Sequence, residues 1–371
     1  MSDLATFAKL APSNAQLPVS VYFDESLLQR EIKQLFQQGP RYVGHELMVP
    51  NMGDFATLAS ENEGRVLVRS DRGIELLSNV CRHRQALMLG GPGSNGRGNA
   101  PMVVCPLHRW TYDLKGELIG APHFESTPCL NLANTRLQSW NGLLFEQNGY
   151  NVIEKLAQLS VTKDLDFSGY MLDHVEVHDC DYNWKTFIEV YLEDYHVEPF
   201  HPGLGSFVSC DDLRWEFGED YSVQTVGVNS GLLKSGSEKY RAWQEQVLQF
   251  RRGAVPPYGA IWLTLYPNIM VEWYPHVLVV STLWPQGVGK TRNVVEFYYP
   301  EEIVMFERDF IEAERAAYME TCIEDDEIGL RMDAGRRALL DRGENQVGPY
   351  QSPMEDGMQH FHEWYRNRFS V

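Results

Sequence analysis

The sequence predicts an α+β fold in which a small, mostly β domain precedes a larger domain of antiparallel strands and helices. Short β-like runs separated by Gly, Asn and Pro fill residues 41–155. Four strong strands follow one another between 260 and 299, and helical patterns follow them. Strands followed by helices indicate an antiparallel sheet with helices packed on it, not a doubly wound parallel sheet.

A chain of 371 residues is long enough for two domains. The changes in pattern along the chain predict where these domains lie. We expect an N-terminal segment, 1–40, that packs on the larger domain. The β domain should cover 41–155, and the larger domain should cover 156–371.

The individual elements follow in chain order. Residues 24–38 have the apolar spacing of a short amphipathic helix that begins at Asp24 or Ser26. In the β domain the strand candidates are RVLVRS, IELLSNV, MVVCPL and GLLFEQ. The larger domain begins with the strand candidate VEVHDCDYNW, a helix from Asn183, and a helix over 236–250. The strands AIWLTLY, NIMVEWY, HVLVVSTLW and NVVEFYY come next, then helices from Pro300 to about Gly343 and over 355–368.

Composition excludes several classes of partner. The formal charge of −19 argues against a nucleic acid or an anionic membrane, because nothing would neutralise their phosphates. No apolar run is long enough to span a bilayer, and the N-terminus has no apolar signal core, so we expect a cytoplasmic protein. Its six cysteines should then be thiols or metal ligands. No Gly-rich fingerprint lies at a strand-to-helix turn, so we expect no NAD or flavin on this chain.

The β domain carries a strong metal-binding motif. Cys81-Arg82-His83 is followed, after 21 residues, by Cys105-Pro106-Leu107-His108. Two thiolates for one iron and two imidazoles for the other are the ligands of a Rieske [2Fe–2S] cluster. Zinc is the alternative metal, because two cysteines and two histidines also form zinc sites. The single residue between Cys81 and His83 differs from the usual zinc-finger spacing and favours the cluster.

A second candidate site lies in the stretch Asn183–Gly203. Glu189, Glu193 and His196 are spaced to share one face of a helix. Pro199 should end that helix, because it has no N–H for the helical ladder, and the bend would let His201 converge with His196. Two ordinary histidines near a helix end are the alternative interpretation.

The β-domain motif resembles a known family. CRHR…CPLHRWTYDLKGEL is similar to the Rieske domain of Rieske non-haem iron oxygenases, including Trp110, Tyr112 and Gly116. The resemblance implies a terminal oxygenase (alpha) component with a helix-grip, START-like catalytic domain. It implies electrons from a separate reductase or ferredoxin, a mononuclear Fe(II) and O2 as co-substrate. It also implies a small organic substrate and a head-to-tail homotrimer.

The resemblance extends to the second site, where the family has a carboxylate three residues before H-x4-H. It implies that His196 and His201 bind the iron and that the third ligand lies in Glu324-Asp325-Asp326. Asp325 shares its predicted helical face with Ile328, Met332 and Leu339, so we expect it to be the ligand, with Asp326 as the alternative.

Three carboxylates near these histidines are candidate catalytic residues. By resemblance, Glu193 is the carboxylate that connects His196 to His108 of the partner subunit. Asp194 is a weaker candidate for that role, and Glu189 is a candidate to line the pocket or relay protons. In having glutamate at position 193, this stretch resembles that of the oxygenases that act on choline, carnitine and related amines.

The substrate stays open at this level. Aromatic compounds and quaternary amines are both plausible, as are demethylation, monohydroxylation and dihydroxylation. Five aromatic residues on the predicted strands are candidates for a box that holds a quaternary ammonium: Trp262, Tyr266, Trp273, Tyr274 and Trp284. Three arginines near the cluster loops are candidates to dock an acidic reductase: Arg82, Arg84 and Arg109. The alternative function is a non-catalytic Rieske electron carrier or redox sensor with a ligand-binding domain, which would not need His196, His201 and the acidic helix.

Overall fold

A computed structural model describes residues 15–91, 95–234 and 236–370 of the chain. The chain forms two compact units: Gln38–Ala157, and the chain on either side of it, up to Gln37 and from Gln158 onward. The sequence-based boundaries at 41 and 155 were predicted for domains that fold independently. Because compact units need not fold independently, these boundaries remain a prediction. Residues 1–14 of the predicted N-terminal segment lie outside the described residues.

The described N-terminal segment packs into the larger unit. Helix α1 spans Glu25–Glu31 and continues as a π-helical turn, Ile32–Phe36. The Asp24 carboxylate caps α1, because it accepts the backbone N–H groups of Ser26 and Leu27 at 2.8 and 3.0 Å. The buried apolar residues of this segment join one core with Trp184 and Ile188 of the larger unit: Leu17, Val21, Tyr22, Leu27, Leu28, Leu35 and Phe36.

The smaller unit is mostly β, as predicted. Its strands form three antiparallel sheets, ordered β5-β2-β3-β4-β9, β6-β7-β8 and β1-β11-β10. The strands are β1 Tyr42–His45, β2 Asp54–Thr57, β3 Arg65–Ser70, β4 Gly73–Ser78, β5 Arg97–Asn99, β6 Val103–Val104, β7 Thr111–Tyr112, β8 Leu118–Gly120, β9 Asn134–Thr135, β10 Leu137–Trp140 and β11 Leu143–Glu146. A short helix, α2 (Val152–Lys155), follows them.

The larger unit is built on one antiparallel sheet of seven described strands, in the order β12-β18-β17-β16-β15-β14-β13. The strands are β12 Tyr170–Cys180, β13 Val208–Phe217, β14 Tyr221–Val228, β15 Ala260–Leu265, β16 Ile269–Tyr274, β17 Val277–Gly287 and β18 Lys290–Pro300. The sequence predicted β12 and β15–β18 but missed β13 and β14. The polar run CDDLR interrupts the strand pattern of β13, and the pairing register shifts there, between Ser209 and Arg214.

Helices cover one face of this sheet. They are α3 Trp184–Tyr191, α4 Val197–Phe200, α5 Leu204–Phe207, α6 Glu238–Phe250, α7 Glu301–Phe306, α8 Arg308–Asp341 and α9 Asp356–Phe369. Tyr240 and Trp243 of α6, and Phe310 and Ile311 of α8, share a buried core with the sheet. The α+β prediction is confirmed. Among the described residues, no helix combines the length and the apolar character needed to cross a membrane.

Candidate functional site

The four predicted cluster residues lie on two loops of the smaller unit. Cys81 and His83 follow β4, and Cys105 and His108 lie between β6 and β7. Both thiols are buried, and the two imidazole rings are 4.7 Å apart between their centroids. The Trp110 ring stacks on His83 at 4.9 Å. The structure therefore brings the two halves of the motif together.

These residues fit a cluster with two thiolate and two imidazole ligands. Burial raises the pKa of the Cys81 thiol, but hydrogen bonds from the His83 backbone, Tyr112 and Cys105 outweigh it, so the pKa is lowered. A lowered pKa favours the thiolate that a metal requires. Nδ1 of His83 is buried and has no hydrogen-bond partner among the described residues. A buried ring nitrogen without a partner is suited to bind a metal.

The second site differs from its predicted backbone. Helix α3 ends at its C-cap, Leu192, and not at Pro199, which lies inside α4. The C-terminal segment accounts for this early end. The backbone N–H of Met358 donates to the carbonyl of Leu192, and the N–H of Asp194 donates to the carbonyl of Met354, both at 3.1 Å. The prediction that Glu189, Glu193 and His196 share one helical face is therefore wrong.

Nevertheless, the structure brings His196, His201 and Asp325 together. Oδ1 of Asp325 lies 2.9 Å from Nε2 of His201 and 3.4 Å from Nε2 of His196. Nδ1 of His196 contacts Glu193 at 2.5 Å, and Nδ1 of His201 contacts Glu324 at 2.7 Å. A carboxylate on each Nδ1 fixes the ring so that both Nε2 atoms face Asp325, which is the donor arrangement of a two-histidine, one-carboxylate iron site.

The electrostatics of this site favour a cation. Burial lowers the pKa of His196, but Asp325 and Glu193 outweigh burial and raise it to about 10. The pKa of His201 is also raised, because Asp325 and Glu324 outweigh burial. Burial raises the pKa of Asp325, but the two histidines lower it below its usual value. The negative field that favours protonated imidazoles here equally favours a divalent metal ion.

Two other predicted residues, Asp326 and Asp194, have hydrogen-bond partners other than His196 and His201. Asp326 contacts Nε2 of His178 at 2.6 Å and accepts the Tyr182 hydroxyl at 2.9 Å, so it points away from His196 and His201. Asp194 is buried beside Glu193 and accepts a hydrogen bond from Gln224. Its pKa is raised to about 7, first by burial and then by the charge of Glu193.

Glu189 requires a correction. It does not line the cavity beside the histidines. Instead it forms a buried network, in which Arg336 contacts it at 2.5 Å, His362 contacts it at 2.8 Å and the Tyr22 hydroxyl donates to it. We therefore assign Glu189 to the links between α3, α8 and α9 and remove it from the catalytic set.

A cavity of about 90 Å³ lies between the sheet, α3, α6 and α8, next to the histidines. Five carboxylates line it: Glu193, Asp194, Glu272, Glu314 and Asp325. Its described lining residues include no lysine or arginine. Its aromatic lining includes Trp262 and Tyr274, whereas Tyr266, Trp273 and Trp284 lie elsewhere. The cavity is therefore acidic with aromatic walls, a combination suited to a small organic cation.

Glu272 and Glu314 are the deepest of these carboxylates and were missed in the sequence. Glu272 accepts hydrogen bonds from the hydroxyls of Tyr274 at 2.8 Å and Tyr318 at 3.1 Å. Glu314 accepts one from Tyr299 at 2.5 Å, and its Oε1 has no partner among the described residues. Burial raises the pKa of Glu272 to about 7 and of Glu314 to about 8, and the charge of Glu272 contributes to the latter.

The sequence held a signal for one of them. A glutamate within the apolar strand run IMVEWY must be buried when the strand is central, because both faces of that strand are covered. Glu324 was also missed as a partner of His201. It lay within the predicted acidic triplet, but periodicity alone gives no reason for a carboxylate to reach an imidazole that follows another helix.

The comparisons with known proteins agree with this geometry. The family description "Ring hydroxylating alpha subunit (catalytic domain)" matches residues 167–370, and "Rieske [2Fe-2S] domain" matches 40–134. The chain is 73% identical to putrescine 2-hydroxylase of Ralstonia nicotianae, over 99% of each protein. It is 59% identical to putrescine 2-hydroxylase of Bordetella bronchiseptica, over 99% of this chain and 87% of that protein. A solved quaternary ammonium Rieske monooxygenase has the same fold, with a TM-score of 0.74 over 96% of this chain and 95% of that one at 21% identity.

Proposed function

We propose that this chain, which belongs to the ring-hydroxylating alpha-subunit family of Rieske oxygenases, hydroxylates a small aliphatic diamine of the putrescine type. The family establishes the chain as an oxygenase that takes electrons from a partner reductase or ferredoxin. It uses a Rieske [2Fe–2S] cluster, a mononuclear iron and O2. The alternative of a non-catalytic electron carrier is wrong, because the catalytic-domain match covers residues 167–370.

The observation that carries the diamine proposal is the acidic cavity. Its described lining contains five carboxylates, two histidines and no lysine or arginine, so the cavity favours a substrate that carries positive charge. A primary ammonium group can donate hydrogen bonds to carboxylates, whereas a quaternary ammonium group has no N–H to donate. The names of the two similar hydroxylases, at 73% and 59% identity, support the same choice.

We further propose a monooxygenation. The similar proteins are named as hydroxylases of an aliphatic amine, so we do not retain the expectation of aromatic-ring hydroxylation or dioxygenation. An uncharged aromatic ring in this cavity would leave buried carboxylates without a partner, which costs free energy. A quaternary ammonium group would be attracted by the same carboxylates but has no N–H to donate to them, so a primary amine fits better.

The site residues divide into ligands and supports. Cys81, His83, Cys105 and His108 would hold the cluster. His196 and His201, through Nε2, and Asp325 would hold the iron. When bound, the iron supplies the activation of O2 that places one oxygen atom in a C–H bond of the substrate.

The chain's own part in the reaction is to bind, orient and exclude water. Glu193 and Glu324 hold the two imidazoles through Nδ1, so that their Nε2 atoms stay directed at Asp325. The aromatic walls formed by Trp243, Trp262 and other rings keep water from the reacting carbon. The deep carboxylates attract an ammonium group of the substrate and thereby fix the position of the carbon chain relative to the iron ligands.

Electron transfer between subunits is part of the same proposal. We propose a head-to-tail homotrimer in which Glu193 connects His196 to His108 of the partner subunit. Glu193 is partly exposed beside His196 and His108 lies exposed on its loop, as such a contact requires. Mixed trimers test this. Cys81→Ser removes the cluster and Asp325→Asn removes the iron, so mixing the two inactive variants should restore activity if electrons cross between subunits. No recovery in verified mixed trimers would contradict it.

Docking of the reductase is proposed at the cluster loops. Arg82, Arg84 and Arg109 are exposed there in a chain of net charge −19. Arg84→Glu should slow reduction of the cluster in stopped-flow experiments, more strongly at low salt. Arg72→Glu, at an exposed arginine of the same unit, is the control. Equal rates for both variants would contradict this docking site.

A cytoplasmic location also belongs to the proposal. All six cysteines are free thiols in the structure, which suits a reducing compartment. Fractionation of the native cells tests it, and recovery of the protein with a secreted or membrane fraction would contradict it.

A substrate panel tests the proposed activity. Purified oxygenase with a generic reductase is supplied in turn with putrescine, carnitine, choline and benzoate, and the O2 consumed is compared with the product formed. We expect coupled turnover only with putrescine. Coupled turnover of carnitine or choline without turnover of putrescine would replace the diamine with a quaternary amine.

A further inference from the structure

We propose that Glu272 and Glu314 together receive the ammonium group of the diamine that is remote from the hydroxylated carbon. This inference rests on the proposed function and names the residues that distinguish a diamine from a monoamine. Both side chains are buried in the cavity wall, at 1% and 0% exposure, and neither is in an ion pair with a described lysine or arginine.

The positions of the two carboxylates separate them from the metal ligands. Tyr318, which donates to Glu272, precedes Asp325 by two turns of α8, ~10 Å along its axis, and Glu314 precedes it by three turns, ~16 Å. The cavity thus has the histidines and Asp325 at one end and the two carboxylates toward the other. A linear diamine placed along it presents one amino group to the carboxylates and its chain to the iron site.

The hydrogen-bond inventory points to a cation at this place. Tyr274 and Tyr318 supply two neutral donors to Glu272, and Tyr299 supplies one to Glu314. Oε1 of Glu314 remains without a partner although it is buried. A buried acceptor without a donor is costly, and an ammonium group has three donors to offer. Tyrosine hydroxyls keep the carboxylates in place without neutralising them.

Burial of Glu272 and Glu314 raises the pKa of both carboxyls, and this can be measured as proton release when a ligand binds. The charge of Glu272 contributes to the raised pKa of Glu314, so the two carboxyls repel each other when both are ionised. The pKa of Glu272 also depends on Tyr191, Tyr274, Tyr318 and Asp325, and the pKa of Glu314 depends on Tyr299 and Arg315. Near neutral pH the empty site therefore holds protons that an arriving ammonium group displaces.

The test compares putrescine with 1-aminobutane, which keeps the chain and one amino group. For wild type, Glu272→Gln and Glu314→Gln, the specificity ratio is kcat/KM for putrescine divided by kcat/KM for 1-aminobutane. We expect each substitution to lower this ratio about 100-fold. The substitution removes a buried pair between a carboxylate and the second ammonium group, which putrescine has and 1-aminobutane lacks. The matched control is Glu296→Gln, since Glu296 is buried on β18, accepts the Tyr298 hydroxyl at 2.6 Å and does not line the cavity.

A binding measurement without turnover supplies a second readout. Calorimetry of putrescine binding to the oxidised holoenzyme, in buffers of different ionisation enthalpy near pH 7, should show proton release in wild type and a smaller release in both variants. Glu314→Asp keeps the charge but withdraws it by one methylene, so it should shift preference from putrescine toward pentane-1,5-diamine.

The outcomes separate this inference from the proposed function. A wild-type enzyme that turns over no diamine refutes the proposed function. A wild type that hydroxylates putrescine, with a ratio that stays within about threefold of wild type in either glutamine variant, overturns this inference alone. That result would mean that the carboxyls stay protonated and serve only as hydrogen-bond acceptors for the tyrosines.

Discussion

Substitution of Glu324 tests the iron site, because Glu324 acts on the metal through His201. The sequence spacing had assigned Glu324 no such role. The His201 side chain is 1% exposed, so its Nδ1–H cannot turn to water if Glu324 is removed. Loss of the 2.7 Å hydrogen bond leaves a buried donor unpaired, at a cost of about 1–3 kcal/mol. The same change removes the contact that fixes the orientation of the ring. Partners of this kind are worth about 10–100-fold in metal affinity.

We therefore expect Glu324→Ala to weaken binding of the mononuclear iron by about 100-fold, and Glu324→Gln, which keeps a neutral acceptor, by about 10-fold. Competition with an iron chelator measures the affinity, while the cluster absorbance reports that the smaller unit is intact. Glu327→Ala is the matched control, because Glu327 lies on the same helix and its ion pair among the described residues is with Arg331 on the surface. Wild-type iron affinity in Glu324→Ala would refute the assignment of Nδ1 to Glu324 and of Nε2 to the metal.

Three further predictions concern the third iron ligand, the cavity carboxyls and the buried pair of Lys185 and Glu31. Asp325→Asn should lower the iron content from three to two atoms per chain, whereas Asp326→Asn should leave three; metal analysis decides, and the reverse result would exchange the ligands. For putrescine, kcat/KM should rise between pH 6 and 8 as the cavity carboxyls ionise, because their pKa values are raised to about 7 and 8 and only the ionised forms pair with ammonium. Glu314→Gln should flatten this rise, and an unchanged profile would contradict it. Lys185→Met should destabilise the larger unit by about 3–5 kcal/mol, since Lys185 pairs with the buried Glu31 at 2.7 Å; denaturant titration followed by tryptophan fluorescence measures it, and a shift below 1 kcal/mol would contradict it.

The metal ligands proposed here could be predicted from the sequence because their chemistry is local. Cys81 and His83, and Cys105 and His108, occupy single loops, so their spacing survives whatever the rest of the fold does. His196 and His201 likewise fall within one short stretch. Asp325 was separated from Asp326 by helical periodicity, and the 34-residue helix α8 keeps that periodicity unbroken through both residues.

The remaining features depend on contacts that no local pattern encodes. The end of α3 at Leu192 is set by hydrogen bonds to a segment at least 160 residues away in the chain. Glu189 has the spacing of a pocket residue, but Arg336 and His362 hold it in a buried network. Glu272 and Glu314 come together only because a sheet and a helix meet across one cavity, and the part of the chain that the structure describes adds no lysine or arginine to that cavity.

The acidic cavity also relates substrate choice to the fold. Central strands such as β16 are buried on both faces, so a glutamate at position 272 lowers stability unless it is compensated. Hydroxyls of Tyr274 and Tyr318 compensate part of that cost. A cationic substrate would compensate the rest, so binding of a diamine should raise the thermal stability of the larger unit.

The most direct test of the proposed activity is a single turnover under ¹⁸O2. The oxygenase, with its cluster and iron reduced beforehand, is mixed with putrescine and ¹⁸O2, and the product is analysed by mass spectrometry. We predict a hydroxylated putrescine that carries one ¹⁸O atom from O2. A product without ¹⁸O, or O2 consumption that leaves putrescine unchanged, would contradict the assignment of this chain as a diamine hydroxylase.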